Sequence, residues 1–231
     1  MYAKIYILFL LMFISGCLVM NVDAAEDYPL EFVGQTAQSV FQSVAYSTDG
    51  KYVACSSPEM VCLYDVSTGR LIRSFQGFGV FGASSLFFHP KKKLLIGAGQ
   101  INSFSSAVII WELETGNTVK VINCETIIGI SLSPEGDLIA IATSRAEKGI
   151  VIYDSNTGNR VKELQRERLL NVEEEIQEGS AGYRHVSFSH DGKMLAAGGD
   201  YLRIWNIKDN KEIFKRRMAL RCFVWVTFDL N

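Results

Sequence analysis

The chain repeats itself four times. A short alternating strand running into a polar turn occurs as Val44-Ala45-Tyr46-Ser47-Thr48-Asp49-Gly50-Lys51 and as Leu86-Phe87-Phe88-His89-Pro90-Lys91-Lys92-Lys93. It returns as Ile130-Ser131-Leu132-Ser133-Pro134-Glu135-Gly136-Asp137 and as Val186-Ser187-Phe188-Ser189-His190-Asp191-Gly192-Lys193. The interval is 42 residues from Ser47 to His89, 44 from His89 to Ser133 and 56 from Ser133 to Ser189, so the last one carries an insertion. A period of this length constrains the fold more than any other feature. Each unit is too small to bury its apolar face alone and must stack on its copies.

Within each unit the turn leads into a second strand of small residues, as in Tyr52-Val53-Ala54-Cys55. A third strand follows as a nearly continuous apolar run: Val61-Cys62-Leu63-Tyr64, Val108-Ile109-Ile110-Trp111, Ile150-Val151-Ile152-Tyr153 and Leu202-Arg203-Ile204-Trp205. Such runs read as strands covered on both faces. Thr68-Gly69, Thr115-Gly116, Thr157-Gly158 and Asp209-Asn210 mark the next turn, and a more charged fourth strand suits an outer edge. Four antiparallel strands per unit is the layout of a propeller blade. The expected fold is therefore all-β, a partial β-propeller of four four-stranded antiparallel blades at 40–75, 84–122, 127–164 and 183–215. Residues 222–228 match the opening strand of a fifth, and the sequence stops at Asn231 before its turn, so the arc reads as incomplete at the C-terminus.

The Ser-x-Asp-Gly-Lys turns, together with the aromatic-acidic pairs Tyr64-Asp65, Trp111-Glu112 and Tyr153-Asp154 and the variant Trp205-Asn206, resemble the WD-repeat propeller family over residues 28–231. The resemblance implies that residues 28–33 supply a strand to the last blade. The chain also departs from the family. Gly34-Gln35 stands where a Gly-His pair is usual, and only Asp200 keeps the aspartate that would join that histidine and the tryptophan in a network. Translocation propellers of the periplasm and quinoprotein-like propellers carry similar turns and remain alternatives.

The first 24 residues read as an export signal. Lys4 precedes the apolar run 5–14, which has the length of a signal-peptide core, whereas a membrane span needs about 20 apolar residues. Ile14-Ser15-Gly16-Cys17 resembles a bacterial lipobox and makes Cys17 the expected lipidation site; the competing cut follows Ala24, after Val22-Asp23-Ala24. An uncleaved anchor is the third reading. Export places the chain at the bacterial cell envelope, lipid-anchored through Cys17, or else free in the periplasm or secreted. Of the remaining cysteines, Cys55 and Cys62 flank a short hairpin loop, which suits a disulfide in an oxidising compartment. Burial as free thiols is the competing reading.

Chemical motifs are few. Gly77-Phe78-Gly79-Val80-Phe81-Gly82 matches a dinucleotide fingerprint, but a strand follows it where a helix is required. His89, His185 and His190 show no metal-ligand spacing, and His89 and His190 read as solvated turn residues. The carboxylates recur with the repeat, which marks them as structural, so no catalytic residue, metal or cofactor is expected. The insertion contains Leu169, Val172 and Ile176 at helical spacing, so 166–178 reads as a short amphipathic helix or a solvated loop. A net charge of -2 gives no electrostatic ground for a nucleic-acid partner.

The sequence thus predicts a non-catalytic protein-interaction module. The alternative is part of an envelope enzyme or sensor acting on a small molecule over the central channel. In antiparallel blades the loops between strands two and three share one end with the loops that join successive blades, and the long and unusual segments gather there. Phe78, Phe81 and Phe104 are the expected contact residues for a protein or peptide, with the charged insertion 165–182 as a rim. The competing reading has them fold inward to seal the blade junctions. Phe223, Trp225 and Phe228 on the expected fifth strand make self-association through an apolar edge a further expectation.

Overall fold

The computed structural model describes residues 42–78, 82–124, 126–143, 149–164, 183–199, 201–217 and 226–228. These form sixteen strands in four four-stranded antiparallel sheets, each ordered as in the sequence. Blade 1 contains β1 (Ser43–Tyr46), β2 (Tyr52–Ser56), β3 (Val61–Asp65) and β4 (Leu71–Phe75). Blade 2 contains β5 (Ala83–Phe88), β6 (Leu94–Asn102), β7 (Ser105–Glu112) and β8 (Thr118–Cys124). Blade 3 contains β9 (Ile127–Leu132), β10 (Leu138–Thr143), β11 (Ile150–Asp154) and β12 (Arg160–Leu164), and blade 4 contains β13 (His185–Phe188), β14 (Met194–Gly198), β15 (Tyr201–Asn206) and β16 (Lys211–Arg217). No helix occurs among the described residues. The all-β propeller reading stands, and the blades fall within a few residues of their expected positions.

Alternation along the strands explains how the blades stack. On β7, Ile109 and Trp111 turn toward blade 1, where they meet Val61, Leu63 and Phe75. Val108 and Ile110, on the opposite face of the same strand, meet Ile130, Ile139 and Ile141 of blade 3. Ile150 and Ile152 of β11 then face Val186, Leu195 and Trp205 of blade 4. A period-two pattern that is apolar at every position therefore serves two junctions at once. Blades 2 and 3 bear out the expectation of third strands covered on both faces. Blades 1 and 4 do not: Cys62 and Tyr64 on β3, and Leu202 and Ile204 on β15, are only half-buried, because each faces away from the three described junctions.

One polar pair lies inside this packing. Arg203 on β15 is 1% exposed and its Nη1 donates to Glu212 Oε2 on β16 at 2.7 Å, so the charge is neutralised within the blade that carries it.

Every fourth strand carries a bulge at the same place. The register slips between Leu63 and Tyr64, Ile110 and Trp111, Ile152 and Tyr153, and Ile204 and Trp205 of the partner strands. The extra residues are Ile72, Val119, Val161 and Ile213, and all four are exposed although aliphatic. A bulged residue has no cross-strand partner, which accounts for an exposed aliphatic at one position in all four blades.

Of the expected fifth opening strand, only Val226, Thr227 and Phe228 lie among the described residues, and they form no ladder. They nonetheless lie against blade 4: the Val226 amide donates to His185 Nδ1 at 3.3 Å, and His190 Nε2 donates to the Phe228 carbonyl at 3.1 Å. The expected leader at 1–24, the expected strand at 28–33, Asp200 and the insertion 165–182 with its expected helix at 166–178 lie outside the described residues.

Candidate functional site

The loop end is built on the longest hairpin. β6 and β7 remain paired as far as Asn102 and Ser105, leaving Ser103 and Phe104 as a two-residue tip. Asn102 Oδ1 accepts the Phe104 amide at 2.9 Å and closes this turn, and the Phe104 side chain is 91% exposed. Next to the tip Gln100 and Asn102 are exposed, Ile101 and Ser105 are half-buried, and the register shifts between Gln100 and Asn102; burial on both faces begins below them, at Gly99 and Ser106, so the exposed ring stands above a packed lower hairpin.

Phe78 has a different fate, which corrects the expectation of a contact residue there. It is 3% exposed and packs edge-on against Trp111 with ring centroids 5.7 Å apart; Phe75 approaches the same indole at 5.5 Å. The room for it comes from Gly97, where a Cβ would stand 2.7 Å from the Trp111 ring and 3.0 Å from Phe78. The indole Nε1 donates to the Gln76 carbonyl at 3.2 Å. Tyr183 caps Trp205 in blade 4 in the same edge-on way, at 5.7 Å. An aromatic cap thus stands over each of the two junction tryptophans. Phe81 and Cys17 lie outside the described residues.

Between blades 1 and 2 the loop end is locked by Ser56. Its Oγ donates to the Ala83 carbonyl at 2.6 Å and accepts the Ala83 amide at 3.1 Å, and it is fully buried. Gly82 precedes this contact with a positive φ of 65°, and a Cβ there would meet the Ser57 carbonyl at 2.6 Å. The glycine-rich segment 77–82 therefore leads into β5, and its last glycine is required for close approach of two backbones.

At the opposite end the repeated carboxylates are turn caps. Asp65 accepts from Ser67 Oγ, the Thr68 amide and Thr68 Oγ1 at 2.6, 2.8 and 2.9 Å, and Asp154 accepts from the Asn156 and Thr157 amides at 2.9 and 2.7 Å. These bonds hold both carboxyls below the usual carboxylate range. Asp49 and Asp191 of the first turns in blades 1 and 4 behave alike. Asp191 accepts from Ser189 Oγ at 2.7 Å and the Lys193 amide at 3.0 Å, which lowers it to about 2.

Cations tie these turns from blade to blade. Arg73 on β4 donates to the Glu114 and Thr115 carbonyls at 2.6 and 2.8 Å. Lys120 on β8 donates to the Thr157 carbonyl at 3.2 Å, and Lys162 on β12 to the Ile207 and Lys208 carbonyls. The three cations are equivalent positions, opposite Leu63, Ile110 and Ile152, and each reaches the strand-three turn of the next blade. Opposite Ile204 the fourth blade has Phe214 instead. The recurrence of a cation here in three repeats is visible in the sequence, but its partner is not, since the bonds cross between repeats.

His89 is another correction. It is 6% exposed, not solvated: its Nδ1 accepts the Lys91 and Lys92 amides at 3.1 and 3.2 Å, and its ring lies against Gly136 of blade 3, where a Cβ would be 2.5 Å away. Burial pushes its pKa down. Lys91 and Lys92 reach Glu135 and Asn156 of blade 3, while Lys93 reaches Glu114 of its own blade.

Cys55, Cys62 and Cys124 are thiols, and Cys55 stands directly opposite Cys62 across β2 and β3. Among the described residues no group of three histidine, cysteine, aspartate or glutamate side chains is placed to hold a metal ion, and no helix is long and apolar enough to cross a membrane.

Compared with known families, residues 25–172 match the family model described as Eukaryotic translation initiation factor eIF2A. No match was found among curated proteins.

Proposed function

We propose, from the premise that the chain belongs to the eukaryotic translation initiation factor eIF2A family, that it is a non-catalytic propeller scaffold holding a protein or peptide partner on its loop end. The observation that carries this reading is Phe104, exposed at the tip of a hairpin whose lower part is buried on both faces. Full burial of such a ring by a partner is worth roughly 1.5 to 3 kcal/mol. Because the lower hairpin is already packed, the ordering cost set against that gain is confined to the residues of the tip. The non-catalytic part is supported by the carboxylates of the turns, which are engaged as caps. A Phe104→Ser variant should melt at the temperature of the parent and lose partners recovered by cross-linking. Recovery of the same partners in the same amounts overturns the reading.

Two placements in the cell follow from different parts of the chain. The apolar run 5–14 and the box ending at Cys17 support export, with a leader over 1–24 and a lipid anchor at the envelope. The name of the family supports a partner in eukaryotic translation initiation. Fractionation of the source cells separates them: labelled palmitate on a membrane-bound chain, lost in Cys17→Ala, supports the first, and co-sedimentation of an unlabelled chain with ribosomes supports the second. Self-association through 222–228 belongs to the same proposal, and sedimentation velocity that shows only monomer at high concentration removes it.

A further inference from the structure

Blade 1 has one face in the junction with blade 2 and another turned away from it. The second face carries Val44 and Tyr46, 61% and 65% exposed, and with them Cys55, Cys62 and Tyr64. Hydrogen bonds at the two ends of the β2–β3 ladder set its phase. The Ser57 amide donates to the Met60 carbonyl at 2.8 Å and the Val66 amide to the Lys51 carbonyl at 2.8 Å. Counting inward by twos, Cys55 and Cys62 are a hydrogen-bonded pair, and such pairs hold their Cα atoms about 5.5 Å apart. That separation is inside the range a disulfide spans. Directly opposed residues also send their side chains to the same face.

The repeat itself does not ask for these thiols. The equivalent opposed pairs are Gly97 with Ile109, Ile141 with Val151, and Ala197 with Arg203. Cys124 supplies an internal contrast, because it opposes Ser106 and donates its own S–H to the Ile122 carbonyl at 3.6 Å.

We propose that Cys55 and Cys62 form an exchange-active dithiol that becomes a disulfide by reaction with a small-molecule disulfide such as oxidised glutathione. One cysteine gives its proton to solvent and its thiolate attacks a sulfur of the small disulfide. The small S–S bond breaks, a mixed disulfide forms and one small thiolate leaves. The second cysteine thiolate then attacks the protein sulfur of that mixed disulfide. The Cys55–Cys62 bond forms and the second small thiolate leaves. Two electrons pass to the small disulfide, and the two released thiolates take up the two protons. The link crosses the hairpin and fixes the β2–β3 register on the outward face of blade 1.

The test uses the full chain. Lys51 and Arg70 bound one tryptic peptide, 52–70, that contains both cysteines and no other cleavage site. After incubation with oxidised glutathione, alkylation and digestion, this peptide should be lighter by two hydrogens and unalkylated, while Cys124 is alkylated. Dithiothreitol should restore two alkylation sites, and Cys55→Ser and Cys62→Ser should each leave a stable glutathione adduct on the remaining cysteine. The proposal is overturned if peptide 52–70 stays doubly alkylated or accumulates two adducts. It is equally overturned if either cysteine pairs instead with Cys17, Cys124 or Cys222.

Discussion

Replacing Phe78 and Phe104 one at a time separates a packing phenylalanine from a presented one. Phe78 is 3% exposed between Gly97 and the Trp111 ring, so Phe78→Ala empties a site whose walls are β-strands paired on both sides. Buried Phe→Ala changes cost about 3 to 5 kcal/mol. The edge-on contact with Trp111 contributes roughly 0.5 to 1.5 kcal/mol of this beyond area alone. Phe78→Leu keeps most of the apolar volume and loses mainly the ring contact, so it should cost well under half as much. Phe104→Ala removes a ring 91% exposed and should stay within about 0.5 kcal/mol of the parent. In a chain of this size about 1 kcal/mol moves the melting temperature by roughly 2 to 4 °C, so Phe78→Ala should melt roughly 6 to 20 °C lower. Urea unfolding followed by tryptophan emission is the direct assay, since Trp111 is the neighbour being uncovered. If Phe78→Ala unfolds at the parental midpoint, or if Phe104→Ala is the more damaging change, the assignment of the two residues is wrong.

Other outcomes follow from the junctions and turns. Arg73→Ala removes two charged hydrogen bonds to the next blade and, after allowance for solvent, should cost about 1 to 2 kcal/mol, whereas Lys120→Ala, with a single 3.2 Å bond, should cost less; denaturation midpoints give the order. Gly97→Ala places a methyl 2.7 Å from the Trp111 ring and should destabilise by about 1 to 3 kcal/mol with a shifted tryptophan emission. Asp191, held at about 2 by Ser189 and the Lys193 amide, should titrate there by carboxyl NMR and return toward its usual range in Ser189→Ala. Because its folded pKa is depressed, the stability it contributes is present above the usual carboxylate range and is lost as the pH falls toward 2. Burial pushes the Cys124 thiol up to about 11, so its alkylation at pH 8 should be far slower than in the unfolded chain and should rise steeply toward pH 11.

The blade count, the strand order and the role of the recurring carboxylates were legible in the sequence because they are local matters. A turn aspartate such as Asp65 or Asp154 bonds groups two and three residues away, and strand alternation is fixed by the pleat, so both repeat whenever the residues repeat. The fates of the phenylalanines and of His89 were decided only in three dimensions. Phe78 and Phe104 both sit in glycine- and serine-rich segments, and nothing near them in sequence distinguishes one from the other. What differs is the opposite wall: Gly97 opens a space beneath Trp111 that Phe78 fills, while Phe104 extends past the last strand pair. His89 occupies a turn position held by serine in sister repeats, yet Gly136 of the next blade, lacking a Cβ, lets the ring in. The cation bonds of Arg73, Lys120 and Lys162 likewise join residues about one repeat apart, whereas the Cys55–Cys62 pairing lies within one hairpin and was legible in the sequence; only the exposure of its face is set by where blade 1 stands. Contacts of this kind depend on which two blades meet, and a pattern that describes one blade carries no record of its neighbour.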